Sequence, residues 1–122
     1  MNLLEVLRTF AQEVPDFLTT SIVSRQDGTS IGSISVSPEI DPEAADAYFA
    51  EMLAKNDVAL GALGVQDLTE DVLTTTRNAC FVTRMLGTSP YFWHVATGRG
   101  GSIGLTRALM RKYEASVLEK LP

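Results

Sequence analysis

The segment Tyr91-Phe92-Trp93-His94-Val95-Ala96-Thr97 constrains the fold of this chain more than any other. It carries apolar residues at both odd and even positions. Successive side chains of a strand point to opposite faces of the sheet. A strand that is apolar at both parities is therefore covered on both faces. The chain needs a sheet with a layer on each side. Its 122 residues, 45% of them hydrophobic, supply one core of that kind and suit a single domain over residues 1–122.

The remaining elements follow from periodicity and punctuation. Leu3, Val6, Leu7, Phe10 and Val14 recur at helical spacing, which predicts a helix over about 2–13 that Pro15 ends. Strands are expected at 17–24 and 29–36 around Arg25-Gln26-Asp27-Gly28, where Asp-Gly suits a hairpin. Asp41-Pro42 caps and starts a second helix to about Leu60, with glycines 61 and 64 as its stop. Strands at 70–76, 79–86 and 91–97 are joined by short turns and so form a meander. Gly98-Arg99-Gly100-Gly101 leads to Ser102, a cap for a last helix over about 103–119 whose apolar arc reads Ile103, Leu105, Leu109, Met110, Tyr113 and Val117. The order is α-β-β-α-β-β-β-α. It predicts an α/β (α+β) three-layer sandwich with a five-stranded, mostly antiparallel sheet.

Charge and cysteine content narrow the class. A net charge of −5 opposes non-specific attraction to nucleic acid or anionic lipid. Cys80 is the sole cysteine, so no intramolecular disulfide marks an oxidising compartment. The N-terminus lacks the pattern of a signal peptide, and no stretch approaches the ~20 apolar residues of a membrane span. A cytoplasmic protein that neither binds nucleic acid nor inserts into membranes is expected.

One motif invites a catalytic reading. Gly100-Gly101-Ser102-Ile103-Gly104 matches the G-x-S-x-G nucleophile elbow. A serine nucleophile needs a base, and that fold places its histidine after the serine. The only histidine, His94, comes before Ser102, roughly 25–30 Å back along extended backbone. The expected role of Ser102 is a helix cap, and no enzyme activity is expected. The same glycines lack the lysine and the second parallel strand of a nucleotide loop. A helix N-terminus still attracts anions, so Arg99 and Ser102, with Arg107 and Arg111 on the following helix, are the candidate anion or partner contacts. Glu114 stands within ion-pair reach of Arg111. His94 and Cys80 are too few for a metal site, and no cofactor is expected.

The second helix carries the other signal. Tyr48, Phe49, Met52, Leu53 and Leu60 form a broad apolar arc expected to face the sheet. Ala47, Ala50 and Ala54 line the other side, where a second helix could approach closely. The strand near 70–76, with Val72, Thr74 and Thr76, reads as a sheet edge open to pairing. Pairing of two copies would satisfy that edge and bring the two second helices together in a symmetric homodimer.

The hairpin Ser21-Ile22-Val23-Ser24-Arg25-Gln26-Asp27-Gly28-Thr29-Ser30-Ile31, the alanine-rich second helix, and the run from Tyr91 to Thr97 followed by Ile103-Gly104-Leu105-Thr106-Arg107-Ala108-Leu109 resemble the Roadblock family, also called dynein light chain 7. The resemblance spans nearly the whole chain. It implies a profilin-like sheet between helices, a dimer built from the second helix and third strand, and no enzymatic site. It also implies a partner, since family members commonly regulate or scaffold small Ras-like GTPases. The competing expectation is a small-ligand or anion-binding sensor domain with no GTPase partner, because a sheet covered by helices can open a pocket.

Overall fold

The computed structural model describes all residues from Met1 to Pro122. The elements are α1 (Leu3–Glu13), β1 (Phe17–Ser24), β2 (Ser30–Ser35), α2 (Pro42–Ala62), β3 (Asp71–Thr75), β4 (Ala79–Met85), β5 (Tyr91–Gly98) and α3 (Ile103–Glu119). The strands form one sheet in the order β2-β1-β5-β4-β3, antiparallel at every pairing. The order of elements and the three layers are as the sequence predicts. β5 sits at the centre and is buried on both faces.

Local chemistry sets the boundaries. The Asn2 side chain accepts a hydrogen bond from the Glu5 N–H and caps α1. The Asp41 carboxylate does the same for the Glu43 N–H at the start of α2. The glycines act differently from expectation at the end of α2. Gly61 lies inside the helix, which continues to Ala62. Gly64, at φ 77°, makes the turn. The Gly64 N–H bonds the Gly61 carbonyl and the Val65 N–H bonds the Leu60 carbonyl, both needing a left-handed residue that glycine adopts without strain.

α1 and α3 pack on one face of the sheet and α2 on the other. Under α1 and α3 lies the larger core, built on Leu7, Phe10, Ile22, Val82, Leu86, Trp93, Val95 and Met110. Phe10 and Trp93 pack with ring centroids 4.7 Å apart. The Trp93 indole N–H is not stranded, because it donates to Thr20 Oγ1 at 2.7 Å. Under α2 the core is four residues, Val23, Ala50, Leu53 and Phe92. On α3, Met110 and Val117 are buried and Leu109 and Tyr113 pack against the core as the predicted arc requires, but Leu105 points outward and Thr106 takes an inward place.

Candidate functional site

α2 separates into two faces, and the division corrects the sequence reading. Asp46, Ala50 and Leu53 share one face, being four and three residues apart, and all three are buried against the sheet. Ala50 is therefore a core residue, 8% exposed, and its side chain is not on the outer surface where a partner helix would dock. Tyr48, expected to face the sheet, is 72% exposed. Ala47 and Ala54 do lie outside. At Ala47 the close approach is to the protein's own β1–β2 turn: a Cβ on Gly28 would sit 2.7 Å from the Ala47 Cα. The outer face as a whole carries Ala44, Tyr48, Glu51, Lys55, Val58 and Ala62, all exposed. A helix that is apolar on both sides is normally covered on both.

The interior beneath α2 is polar. Ser21 Oγ donates to Asp46 Oδ1 at 2.9 Å, while Asp46 Oδ2 is buried with no partner. Burial, reinforced by Glu43 and Asp41, pushes the Asp46 carboxyl up to about 6 despite the Ser21 hydrogen bond. Ser21 pairs across the sheet with His94, and His94 with Thr83. His94 Nδ1 and Thr83 Oγ1 are 3.0 Å apart, and the imidazole lies 4.0 Å from the Phe49 ring centroid. Burial lowers the His94 pKa to about 4, so the ring is neutral at pH 7. This row of polar groups was not read from the sequence. Asp46 sits in an acidic stretch that looks solvated, and only its i, i+4, i+7 relation to Ala50 and Leu53 could have placed it inside.

β3 ends the strand order beyond β4, so its outer row of backbone groups faces no strand. Val72 packs against the small core under α2, Thr74 is half-buried, and Thr76 lies just past the strand with its N–H bonded to the Ala79 carbonyl. The opposite parity carries Asp71, whose carboxylate accepts from Arg84 at 3.2 Å and from Arg107 Nε at 2.8 Å. Arg84 also donates to Glu114. Burial opposes the Arg84 charge, but the Glu114 and Asp71 carboxylates outweigh it and raise its pKa above the ordinary arginine value. Glu114 is thus committed to Arg84 rather than to Arg111. Arg107 ties α3 to β3 instead of lying on a solvated face. The edge strand is consequently fixed on one side by a buried ion cluster.

The glycine loop has a structural occupation. Ser102 Oγ accepts from the Leu105 N–H at 3.2 Å, as a helix cap does. Asp16, at φ 53°, turns its carboxylate onto the Gly100 N–H at 2.8 Å, and its carbonyl accepts from Gly98. A Cβ on Gly98 would meet that carboxylate at 2.5 Å. A negative charge already seated on the loop repels an incoming anion. Ser102 and His94 are not brought together, because the histidine faces α2 and is engaged by Thr83. Arg99 and Arg111 are exposed and join no ion pair. No three histidine, cysteine, aspartate or glutamate side chains converge to hold a metal ion. No helix is long and apolar enough to cross a membrane.

A cleft of about 410 Å³ opens beside the end of α2, lined by Arg25, Asp57, Leu60, Thr69, Met85 and Ser89 among others. Its polar wall is self-satisfied. Arg25 and Asp57 pair at 2.5 Å, and Thr69 donates to Asp57 while accepting from Asn56.

No family model and no curated protein matches the sequence. Solved structures do match the fold. A Roadblock/LC7 domain from Streptomyces avermitilis superposes with a TM-score of 0.85 at 16% identity, over 98% of this chain and 97% of that one. MglB from Myxococcus xanthus gives 0.83 at 14% identity, over 96% and 85%. MglC from Myxococcus xanthus gives 0.66 at 23% identity, over 99% and 100%. Such identities speak to architecture, and the architecture of this chain is the Roadblock/LC7 fold.

Proposed function

We propose that this protein is a homodimeric, non-catalytic regulator or scaffold of a small Ras-like GTPase. The observation that carries the dimer is the outer face of α2, where Tyr48 and Val58 are each 72% exposed on a helix whose inner face is already buried. Exposed apolar surface concentrated on one element marks an interaction site more than scattered single residues do. The unpaired edge of β3 adjoins it, with Val72 and Thr74 facing the α2 side and Thr76 beside them. Ala47 and Ala54 flank the docking face, while Ala50 supports it from inside.

Support for the non-catalytic reading comes from Ser102, which caps α3 without a base in reach. The GTPase assignment rests on the Roadblock resemblance, and the likeness to MglB, described for Thermus thermophilus as a gliding protein, is consistent with it. The sensor alternative is weakened at the glycine loop by the Asp16 carboxylate and at the cleft by the Arg25–Asp57 pair. Co-purification with the cell's small GTPases, with and without a non-hydrolysable GTP analogue, tests the assignment. Nucleotide-dependent association or an altered hydrolysis rate is expected. No association together with an unchanged rate would overturn it.

A further inference from the structure

The first turns of α2 rest on the sheet through a carboxyl that the fold does not pair. Asp46 is fully buried, Ser21 Oγ is the one donor it meets, and Oδ2 has no partner. Asp46 joins no ion pair. On its own helix Glu43 and Asp41 are acids and act against its charge. β1 offers the Ser21 hydroxyl, β2 carries no ionisable side chain, and His94 of β5, which pairs with Ser21 across the sheet, is neutral. In the β1–β2 turn, whose Gly28 lies against Ala47, Arg25 is committed to Asp57 and Asp27 to the Thr29 N–H. An unpaired charge costs far more to bury than an unpaired neutral group.

The rest of α2 is held by other means. Phe49 packs on His94, Ala50 and Leu53 fill the small core, and near the far end Asp57 pairs with Arg25 while Asn56 donates to Thr69. The helix has a firm C-terminal half and an N-terminal stretch whose seating depends on the state of one carboxyl. We propose that Asp46 is a proton-sensitive latch: when neutral it lets residues 42–48 lie closed on β1, and when ionised it releases that stretch to water while the sheet and the C-terminal half of α2 stay in place. The direction follows from burial, which raises the folded-state pKa of Asp46 from 3.8 to about 6. Closure is favoured in full below about pH 4 and weakens as pH rises through about 6. Tyr48 lies on the moving stretch, so the latch sets how firmly the exposed face of α2 is presented.

Amide hydrogen exchange at submicromolar concentration, with rates referred to those of the unstructured chain at each pH, tests the latch. Protection of amides 46–49 should fall by roughly fiftyfold from pH 4 to pH 7.5. At pH 7.5 it should hardly change when 1 M urea is added, because a local opening exposes little surface. Amides of β5, which open only with the whole fold, should lose protection steeply in the same urea. D46N should be nearly as protected at pH 7.5 as the wild type is at pH 4, with no dependence on pH. S21A, which removes the one hydrogen bond favouring the charged form, should move the midpoint of the fall upward. Three results would overturn the latch: protection at 46–49 that is independent of pH, a fall that persists in D46N, or a urea dependence equal to that of β5, which would mean that this stretch opens only by global unfolding.

Discussion

On one face of the sheet, α1 and α3 close over an apolar interior centred on Phe10 and Trp93. On the other face, Ala50 and Leu53 of α2 meet only Val23 and Phe92 in a four-residue core, and the interior is shared with Asp46, Ser21, His94 and Thr83. The first side resembles the core of any small domain and is finished within one chain. The second is thin, polar and capped by a helix whose far side is also apolar. Hydrophobic burial scales with the area removed from water, so α2 contributes less to the monomer than its length suggests. The first layer supplies most of the apolar burial of the fold, and the second leaves Tyr48 and Val58 exposed on its outer face.

Four substitutions sharpen or break that contrast. Trp93→Ala removes the largest buried side chain of the thick side and leaves a cavity, while Thr20 Oγ1 keeps its bond to the His94 carbonyl. It should cost about 3–5 kcal/mol in chemical denaturation, and a loss below 1 kcal/mol would mean that this core is not the main support. Asp71→Ala leaves Arg84 with only part of its charge balanced and frees Arg107 from the edge strand. A loss of about 2–4 kcal/mol is expected.

Asp46→Asn should act in the opposite direction. The folded-state pKa of Asp46 is raised from 3.8 to about 6. The fold therefore favours the protonated form, and ionisation costs stability as pH rises from about 4 through about 6. Above pH 6 the full penalty is present, and below pH 4 it is mostly absent. The asparagine variant should be more stable than the wild type by about 1–3 kcal/mol at pH 7.5 and nearly equal to it at pH 4. Equal stability at both values would show that the carboxylate is hydrated. Tyr48→Glu, on the outer face of α2, should change monomer stability by less than about 0.5 kcal/mol. A fall in monomer melting temperature comparable to that of Asp71→Ala would place Tyr48 in the core and remove the contrast between the two faces of α2.

The thick side was legible because it obeys simple periods. The helical repeat of Leu3, Leu7 and Phe10 and the double parity of residues 91–97 each have one solution. α2 misled for a physical reason. It carries apolar and charged residues on both its inner and outer faces, so hydrophobicity does not say which side faces the sheet. The large residues Tyr48 and Phe49 suggest one arc, although they lie 100° apart on a helix and end on different faces. The small size of Ala50 suggests a close helix contact, but its place four residues after Asp46 and three before Leu53 decides its orientation. The ion cluster of Asp71, Arg84, Arg107 and Glu114 joins residues far apart in the chain, and only the strand order brings them together. Asp16 was invisible for the same reason, since its partner Gly100 is 84 residues away.

A charge at Ala50 would enter the interior and unfold α2, so loss of dimers in Ala50→Glu would carry no information about the outer surface. Tyr48→Glu is the better probe because its side chain is 72% exposed. The most direct measurement is sedimentation equilibrium over a dilution series for the wild type and Tyr48→Glu, with melting temperatures recorded alongside. A wild-type dimer at micromolar concentration and a Tyr48→Glu monomer that melts like the wild-type monomer are expected. A wild type that stays monomeric throughout, or a Tyr48→Glu variant that dimerises as well as the wild type, would contradict the proposed dimer.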